Sequence, residues 1–173
     1  MWIKEEKEIE FKYLFTNIYM IDKIGLLILA NFIPTVEQLG AIPIGVALGI
    51  DPYSIFIISL IANCFLFFPV YFGLKIFYDK LLFKIKLFNK YLERIRKKGK
   101  PYIDRYGIVG LTLFIALPAP LTGTYTATIL SWFLGLNWKK SFLAIVAGSA
   151  IGGLIVLIGS VGISNFLKVI FSF

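Results

Sequence analysis

The sequence predicts an all-α integral membrane protein, built as an inverted repeat of a broken, re-entrant segment and a transmembrane helix, with interfacial amphipathic helices. Mean hydropathy is +0.83, and 16% of residues are charged, against about 25% in soluble domains. Long uncharged runs alternate with short charged segments. Two of these runs are interrupted by Pro and Gly, and a smooth apolar run follows each.

Residues 1–23 mix acidic, basic and aromatic side chains. A secretory signal peptide begins with a net-positive region, so this segment does not match one, and we expect the mature chain to begin here. The segment is too charged to span a bilayer. It is typical of an amphipathic helix on the membrane surface.

Residues 24–50 form the first predicted re-entrant segment. Glu37 is the only charged side chain in this run. An acid at membrane depth is costly, and its default interpretation is a functional site that faces protein or water. Pro34, Gly40 and Pro43 interrupt a smooth helix around it, and we include them in the candidate substrate or ion site. The alternatives are a carboxyl group kept for structure, or a run that ends near Glu37 at the interface.

Residues 52–78 predict the first transmembrane helix, because a long apolar run can cross a hydrocarbon core of about 30 Å. Pro52 suits the first helical turn. Asp51 precedes it and is expected either to N-cap this helix or to act as an ion ligand.

Residues 79–105 predict a basic amphipathic helix on the cytoplasmic face. Residues 80–105 hold ten basic residues and two acids, which accounts for the net charge of +8. A basic segment between spans follows the positive-inside rule. It therefore indicates contact with anionic lipid headgroups rather than nucleic acid. Gly99 and Pro101 predict the end of the helix. The candidate headgroup ligands are Arg94, Arg96, Lys97 and Lys98.

Residues 106–137 form the second predicted re-entrant segment. Its centre is rich in Pro, Gly and Thr, which argues against one straight helix. The threonines either line a polar path opposite Glu37 or bond back to their own helix. The candidate site residues here are Pro118, Pro120, Thr122, Gly123 and Thr124.

Residues 138–165 predict the second transmembrane helix. Gly148 and Gly152 allow close helix approach, either within the chain or between copies. With so few spans we expect a homodimer, because one copy encloses little volume.

The two halves show similar patterns at an offset of 86 residues. Leu48-Gly49-Ile50-Asp51 in the first half corresponds to Leu134-Gly135-Leu136-Asn137 in the second. If each broken segment is re-entrant, each half crosses once, and the second half is inverted relative to the first. Two broken segments then meet near the midplane, as in many secondary transporters. The alternative topology has four full crossings.

The sequence contains one Cys and no His. Intrachain disulfides, His/Cys zinc sites and His-dependent nucleophiles are therefore excluded. We expect no cofactor, no metal site and no enzymatic activity.

Two stretches carry a family resemblance: the run from Glu37 to Gly49, and the run from Tyr106 to Gly123 with its Leu-Pro-x-Pro-x-Thr-Gly motif. Over roughly residues 30–163 the chain resembles the putative small multi-drug export proteins of prokaryotes. It is distantly similar to the DedA/VTT superfamily. This resemblance implies facing re-entrant loops, and a role in proton-dependent transport, drug tolerance or lipid translocation. The arginines of the DedA pattern are replaced by Ile115 and Leu121. Glu37 is the residue that carries over.

We therefore expect a membrane transporter, coupled to protons or sodium through Glu37. Lipid translocation or scrambling, and a non-transporting role in membrane assembly, remain alternatives.

Overall fold

The structure is a computed structural model that describes residues 20–80, 86–119 and 122–171. Six helices follow one another along these ranges. They are α1 (20–32), α2 (Glu37–Ala47), α3 (Pro52–Lys80), α4 (Lys86–Ala116), α5 (Thr124–Phe133) and α6 (Trp138–Phe171). The described ranges contain no strand, which confirms the all-α class. Most of the predicted interfacial helix 1–23 lies outside them, and helix α1 is continuous across residue 23.

Two helices have the length and composition to cross a membrane. These are Pro52–Tyr78 within α3, and α6. At 1.5 Å per residue each exceeds the hydrocarbon thickness of about 30 Å. Only a third of the most apolar window of each is buried inside the protein. The remaining apolar surface is therefore available to lipid.

Helices α3 and α6 run antiparallel. Phe72 near the end of α3 contacts Trp138 at the start of α6, with ring centroids 6.1 Å apart. Towards the start of α3, Phe56 lies 3.3 Å from the Cβ position of Gly153, about four turns further along α6. The two long helices therefore point in opposite directions.

Helices α1 and α2 form a hairpin. Lys23 Nζ, near the start of α1, donates to the carbonyl of Leu48, just after α2, at 2.7 Å. Leu27 of α1 and Ala41 of α2 belong to one buried apolar cluster. The tight turn at 33–36 therefore reverses the chain, and the end of α2 lies beside the start of α1.

Helix α4 continues through Gly99 and Pro101 to Ala116. The expected helix end at Gly99 and Pro101 is therefore wrong. Proline removes one backbone hydrogen bond, but the other backbone bonds of this 31-residue helix remain. The last part of α4 and α5 form the second hairpin, because Leu136, just after α5, lies beside residues 105–109 of α4.

Both hairpins end in the same local structure. Gly49 and Gly135 have φ of +71° and +74°, the left-handed conformation of a C′ glycine in a Schellman motif. The bonds of the motif run from Ile50 N to Gly45 O and Gly49 N to Val46 O in the first half, and from Leu136 N to Ser131 O and Gly135 N to Trp132 O in the second. Every position corresponds at the offset of 86, so the two halves share backbone structure here as well as sequence pattern.

Gly148 and Gly152 pack against another helix of the same chain. A Cβ at Gly148 would lie 2.8 Å from the carbonyl oxygen of Thr112, and one at Gly152 would lie 3.0 Å from that of Ile115. Both glycines therefore allow α6 to approach the backbone of α4 closely.

Candidate functional site

Glu37 begins α2 and is only 5% exposed. It follows the turn between α1 and α2, where Thr35 has φ +73° and Glu37 itself has φ +40°. Such conformations cost non-glycine residues on the order of 1–3 kcal/mol, and they occur preferentially at functional sites. The turn directs the Glu37 side chain away from its own helix and towards the second hairpin.

The Glu37 carboxyl group caps the N-terminus of α5. The backbone N–H of Thr124 donates to Oε2 at 2.5 Å, and that of Tyr125 donates to Oε1 at 3.3 Å. These are the first N–H groups of α5, which have no partner within the helix. A helix N-terminus also carries partial positive charge. An acid of the first half therefore completes a helix of the second half.

Gly123 makes this contact possible. A Cβ at this position would overlap with the Cδ and both carboxyl oxygens of Glu37. Gly123 also lies 86 residues after Glu37, so it is the counterpart of Glu37 in the repeat. The site is therefore asymmetric: one half supplies the acid, and the other supplies the space for it.

Tyr125 forms a second link between the hairpins. Its hydroxyl donates to the carbonyl of Phe32 at 2.7 Å. Phe32 is the last residue of α1, where helix carbonyls lack intrahelical partners. The tip of each hairpin thus satisfies unpaired backbone groups of the other.

A cavity of about 90 Å³ lies beside Glu37. It has room for several water molecules, each of which needs about 10–15 Å³ by this measure. Both hairpin tips and α6 contribute to its wall, which includes Pro34, Glu37, Gln38, Pro118, Thr122 and Gly152. The predicted residues Pro34, Pro118 and Thr122 therefore meet Glu37 at one cavity.

Other predicted residues have local roles. Gly40 leaves room for Val36, whose Cγ1 would be 2.6 Å from a Cβ there. Pro43 lies on the exposed face of α2. Thr122 Oγ1 is 2.7 Å from the carbonyl oxygens of Leu117 and Ala119, so it stabilises the turn after α4. Pro120 lies outside the described residues.

Asp51 and its counterpart Asn137 begin the two long helices. Asp51 Oδ2 accepts the N–H of Ser54 at 2.9 Å, and Asn137 Oδ1 accepts the N–H of Lys139 at 2.9 Å. Both bonds are those of N-cap residues.

The predicted headgroup ligands have different surroundings. Arg94 and Lys97 are exposed. Arg96 is half-buried and donates to the carbonyls of Phe133 and Trp132 at the C-terminus of α5, each at 3.2 Å. The side chain of Lys98 lies outside the described part of α4.

The sequence analysis did not identify the buried polar side chains between α1, α2 and α3. Asn63 Nδ2 donates to Gln38 Oε1 at 2.9 Å, and Asn31 Nδ2 donates to Ser59 Oγ at 3.2 Å. Asn31 and Asn63 are fully buried. Two asparagines within otherwise apolar runs were the available signal, since polar groups inside a membrane are expensive and often functional.

The chain has no significant match among curated proteins or solved structures. A family model described as "putative small multi-drug export protein" matches residues 37–155. The match begins at Glu37, contains α2 to α5 and the first half of α6, and spans most of the 173 residues. The chain therefore belongs to the family of putative small multi-drug export proteins.

Proposed function

We propose that this protein exports small molecules across a membrane, and that Glu37 binds the coupling ion between two re-entrant hairpins. The observation that carries the proposal is the capping of α5 by the Glu37 carboxyl group across the two halves. The family description points to the same class of function.

Three features of the fold support re-entrant hairpins. Helices α2 and α5 have 11 and 10 residues, or about 15 Å each, which is half of a hydrocarbon core of about 30 Å. The hydrogen bond between Lys23 and Leu48 shows that the first hairpin ends beside its own start. The antiparallel packing of α3 and α6 supports opposite orientations of the two halves. In the proposed arrangement the hairpins enter from opposite faces and meet at Glu37.

The chemistry of Glu37 supports coupling. An ionised carboxylate accepts hydrogen bonds through both oxygens, whereas a protonated one turns one oxygen into a donor. Charge-assisted hydrogen bonds are roughly twice as strong as neutral ones. Binding of a proton or another cation at Glu37 therefore weakens its bonds to Thr124 and Tyr125. The hairpins can then separate and open the cavity between them.

The cavity favours small amphipathic cations as substrates. Its wall is mainly apolar around a single acid, and apolar walls with few polar groups are typical of small-molecule sites. The ionised Glu37 carboxylate carries a negative charge that a cationic substrate can neutralise in place of the coupling ion.

The test is ion and substrate flux in proteoliposomes. We expect a fluorescent cationic drug to move in response to a proton or sodium gradient with wild-type protein, and this flux to be lost in Glu37→Gln. The matched control is Asp22→Asn, which makes the same acid-to-amide change at an exposed position of α1. Equal flux in wild type and Glu37→Gln would refute the proposal, and gradient-independent movement of fluorescent lipids by both would favour lipid scrambling.

We also propose that exposed Arg94 and Lys97 contact anionic headgroups on the cytoplasmic face. Each basic residue near such a surface contributes about 1 kcal/mol to its attraction. Export should therefore be faster in vesicles with phosphatidylglycerol than in phosphatidylcholine alone, and Arg94→Ala/Lys97→Ala should remove the difference. A lipid preference that survives the double substitution argues against this contact.

A further inference from the structure

Some buried side-chain oxygen atoms have no hydrogen-bond partner. Within the described residues, the side-chain atoms of this kind are Asn31 Oδ1, Asn63 Oδ1, Thr124 Oγ1 and Ser149 Oγ. All four residues are at most 1% exposed. Native proteins pair the large majority of buried polar atoms, and each exception needs a reason, such as a bound water or ion.

Ser149 lacks a hydrogen bond that several helical hydroxyls of this chain make. Serine and threonine in a helix commonly bond to a carbonyl three or four residues earlier. This bond is made by Thr112, Thr128, Ser131, Ser141 and Ser160. Ser149 lies within α6, and its buried hydroxyl makes no such bond. Its oxygen therefore faces a neighbouring element.

That neighbour is the junction of α2, α3 and α6. Gln38 Oε1 accepts from Asn63 Nδ2 and lies 3.3 Å from the Cβ position of Gly153. Ser149 precedes Gly153 by one helical turn, so it lies on the same face of α6. Asn63 and Ser149 therefore lie at a similar level of the interface between the two antiparallel helices.

The repeat explains why this region is polar but incompletely paired. Gln38 and Asn63 correspond to Thr124 and Ser149 at the offset of 86. The two long amides of the first half reach each other and form a hydrogen bond. Thr and Ser bring far fewer atoms into the equivalent space, and both hydroxyls stay unpaired. The second half thus has two unpaired hydroxyl groups where the first half has a hydrogen-bonded pair.

The groups around this space are oxygens. The side chain of Thr124 faces the Glu37 carboxyl group without reaching hydrogen-bonding geometry. The last carbonyls of α4 face α6 one turn from Ser149, with the oxygens of Ile115 and Ala116 at 3.0 and 3.3 Å from the Cβ position of Gly152. A helix C-terminus carries partial negative charge. Oxygen ligands with a nearby carboxylate select hard cations.

We propose that Asn63 Oδ1, Thr124 Oγ1 and Ser149 Oγ form a binding site for a monovalent cation of the size of Na⁺, next to Glu37. This inference rests on the proposed function and names its coupling ion. Terminal carbonyls of half-helices coordinate Na⁺ in other transporter folds, close to helix N-termini that face substrate. Na⁺ bound here attracts the Glu37 carboxylate away from the N–H groups of α5, which links ion binding to separation of the hairpins.

The test is thermal unfolding of the purified full chain in detergent, with NaCl or choline chloride at equal ionic strength. At ten times the Kd, a ligand specific for the folded state raises the Tm by about 3–6 °C for a protein of this size. We expect this rise with Na⁺ for wild type and its loss in Ser149→Ala. The matched control is Ser160→Ala, which removes a hydroxyl of the same helix that bonds to its own carbonyl at Val156. That variant should respond to Na⁺ as wild type does.

The stability of Ser149→Ala also distinguishes a cation ligand from a hydroxyl that is kept for structure. An unpaired hydroxyl contributes nothing to stability, so Ser149→Ala in choline should be at least as stable as wild type. An equal Tm in the two salts, or an Na⁺ response retained in Ser149→Ala, would overturn the cation site. Drug flux that still depends on Glu37 would then leave the proposed function intact, with protons as the coupling ion.

Discussion

The carboxyl group of Glu37 packs directly against Gly123, its own counterpart 86 residues later in the chain. From there it accepts the N–H groups of Thr124 and Tyr125, the first two residues of α5. Two structurally similar hairpins are thus joined by one acid that only one of them possesses. A change in the charge of this acid acts on both hairpins at once, because it begins α2 and caps α5.

Gly123→Ala should disconnect the two hairpins while the Glu37 residue itself stays unchanged. The backbone at Gly123 has φ −78° and ψ −173°, which alanine adopts freely, so only the added Cβ disturbs the site. Loss of the two charge-assisted hydrogen bonds should lower the free energy of unfolding by about 1–3 kcal/mol. Flux should fall as it does in Glu37→Gln.

The matched control is Gly162→Ala in α6, where a Cβ meets nothing within 4 Å. Alanine in a helix interior should be neutral there or stabilise by roughly 0.5–1 kcal/mol. Thermal unfolding and drug flux measure both variants. Wild-type stability and flux in Gly123→Ala would show that the contact with Glu37 has no functional role.

Asp51→Asn distinguishes a helix cap from an ion ligand. Asn and Asp are about equally good N-caps, whereas alanine at an N-cap costs roughly 1 kcal/mol. Because Asp51 Oδ2 caps Ser54, Asp51→Asn should keep both stability and flux, and Asp51→Ala should lose stability alone. Abolished flux in a stable Asp51→Asn would instead assign Asp51 to the ion path.

Arg96→Lys should weaken the C-terminus of α5. The guanidinium bonds two terminal carbonyls and lies 5.6 Å from the ring centroid of Trp132. Lysine keeps the charge but lacks the planar fork that makes both bonds and the stacking. We expect a loss of about 1–2 kcal/mol by thermal unfolding.

The control for that change is Arg94→Lys, which alters an exposed position of the same helix and should stay within about 0.5 kcal/mol of wild type. Equal stability of the Arg96 and Arg94 variants would mean that Arg96 is only a surface charge.

Much of the architecture follows from local sequence patterns. The all-α class came from composition. The repeated Leu-Gly-apolar-Asx pattern corresponds to a Schellman motif and an N-cap, because both depend on residues close in sequence. Glu37 stood out because a single acid interrupts a long uncharged run.

The partners of Glu37 could not be predicted in the same way. Its bonds to α5 join residues 87 and 88 positions apart, and nothing local to Thr124 or Tyr125 indicates them. Arg96 belongs to a run of basic residues that looks uniformly lipid-facing, and only the packing of α5 beside α4 separates it from Arg94. Pro101 suggests a helix end, yet α4 continues because the loss of one backbone hydrogen bond does not end a helix of 31 residues.

The most direct test of two hairpins that enter from opposite faces is side-specific cysteine labelling. Tyr53 and Lys139 are equivalent at the offset of 86, and both are exposed, at the starts of α3 and α6. In a Cys64→Ala background, a membrane-impermeant maleimide should label Tyr53→Cys from outside intact cells. It should label Lys139→Cys only after permeabilisation. Labelling of both positions from the same side would contradict the opposed hairpins and favour four full crossings.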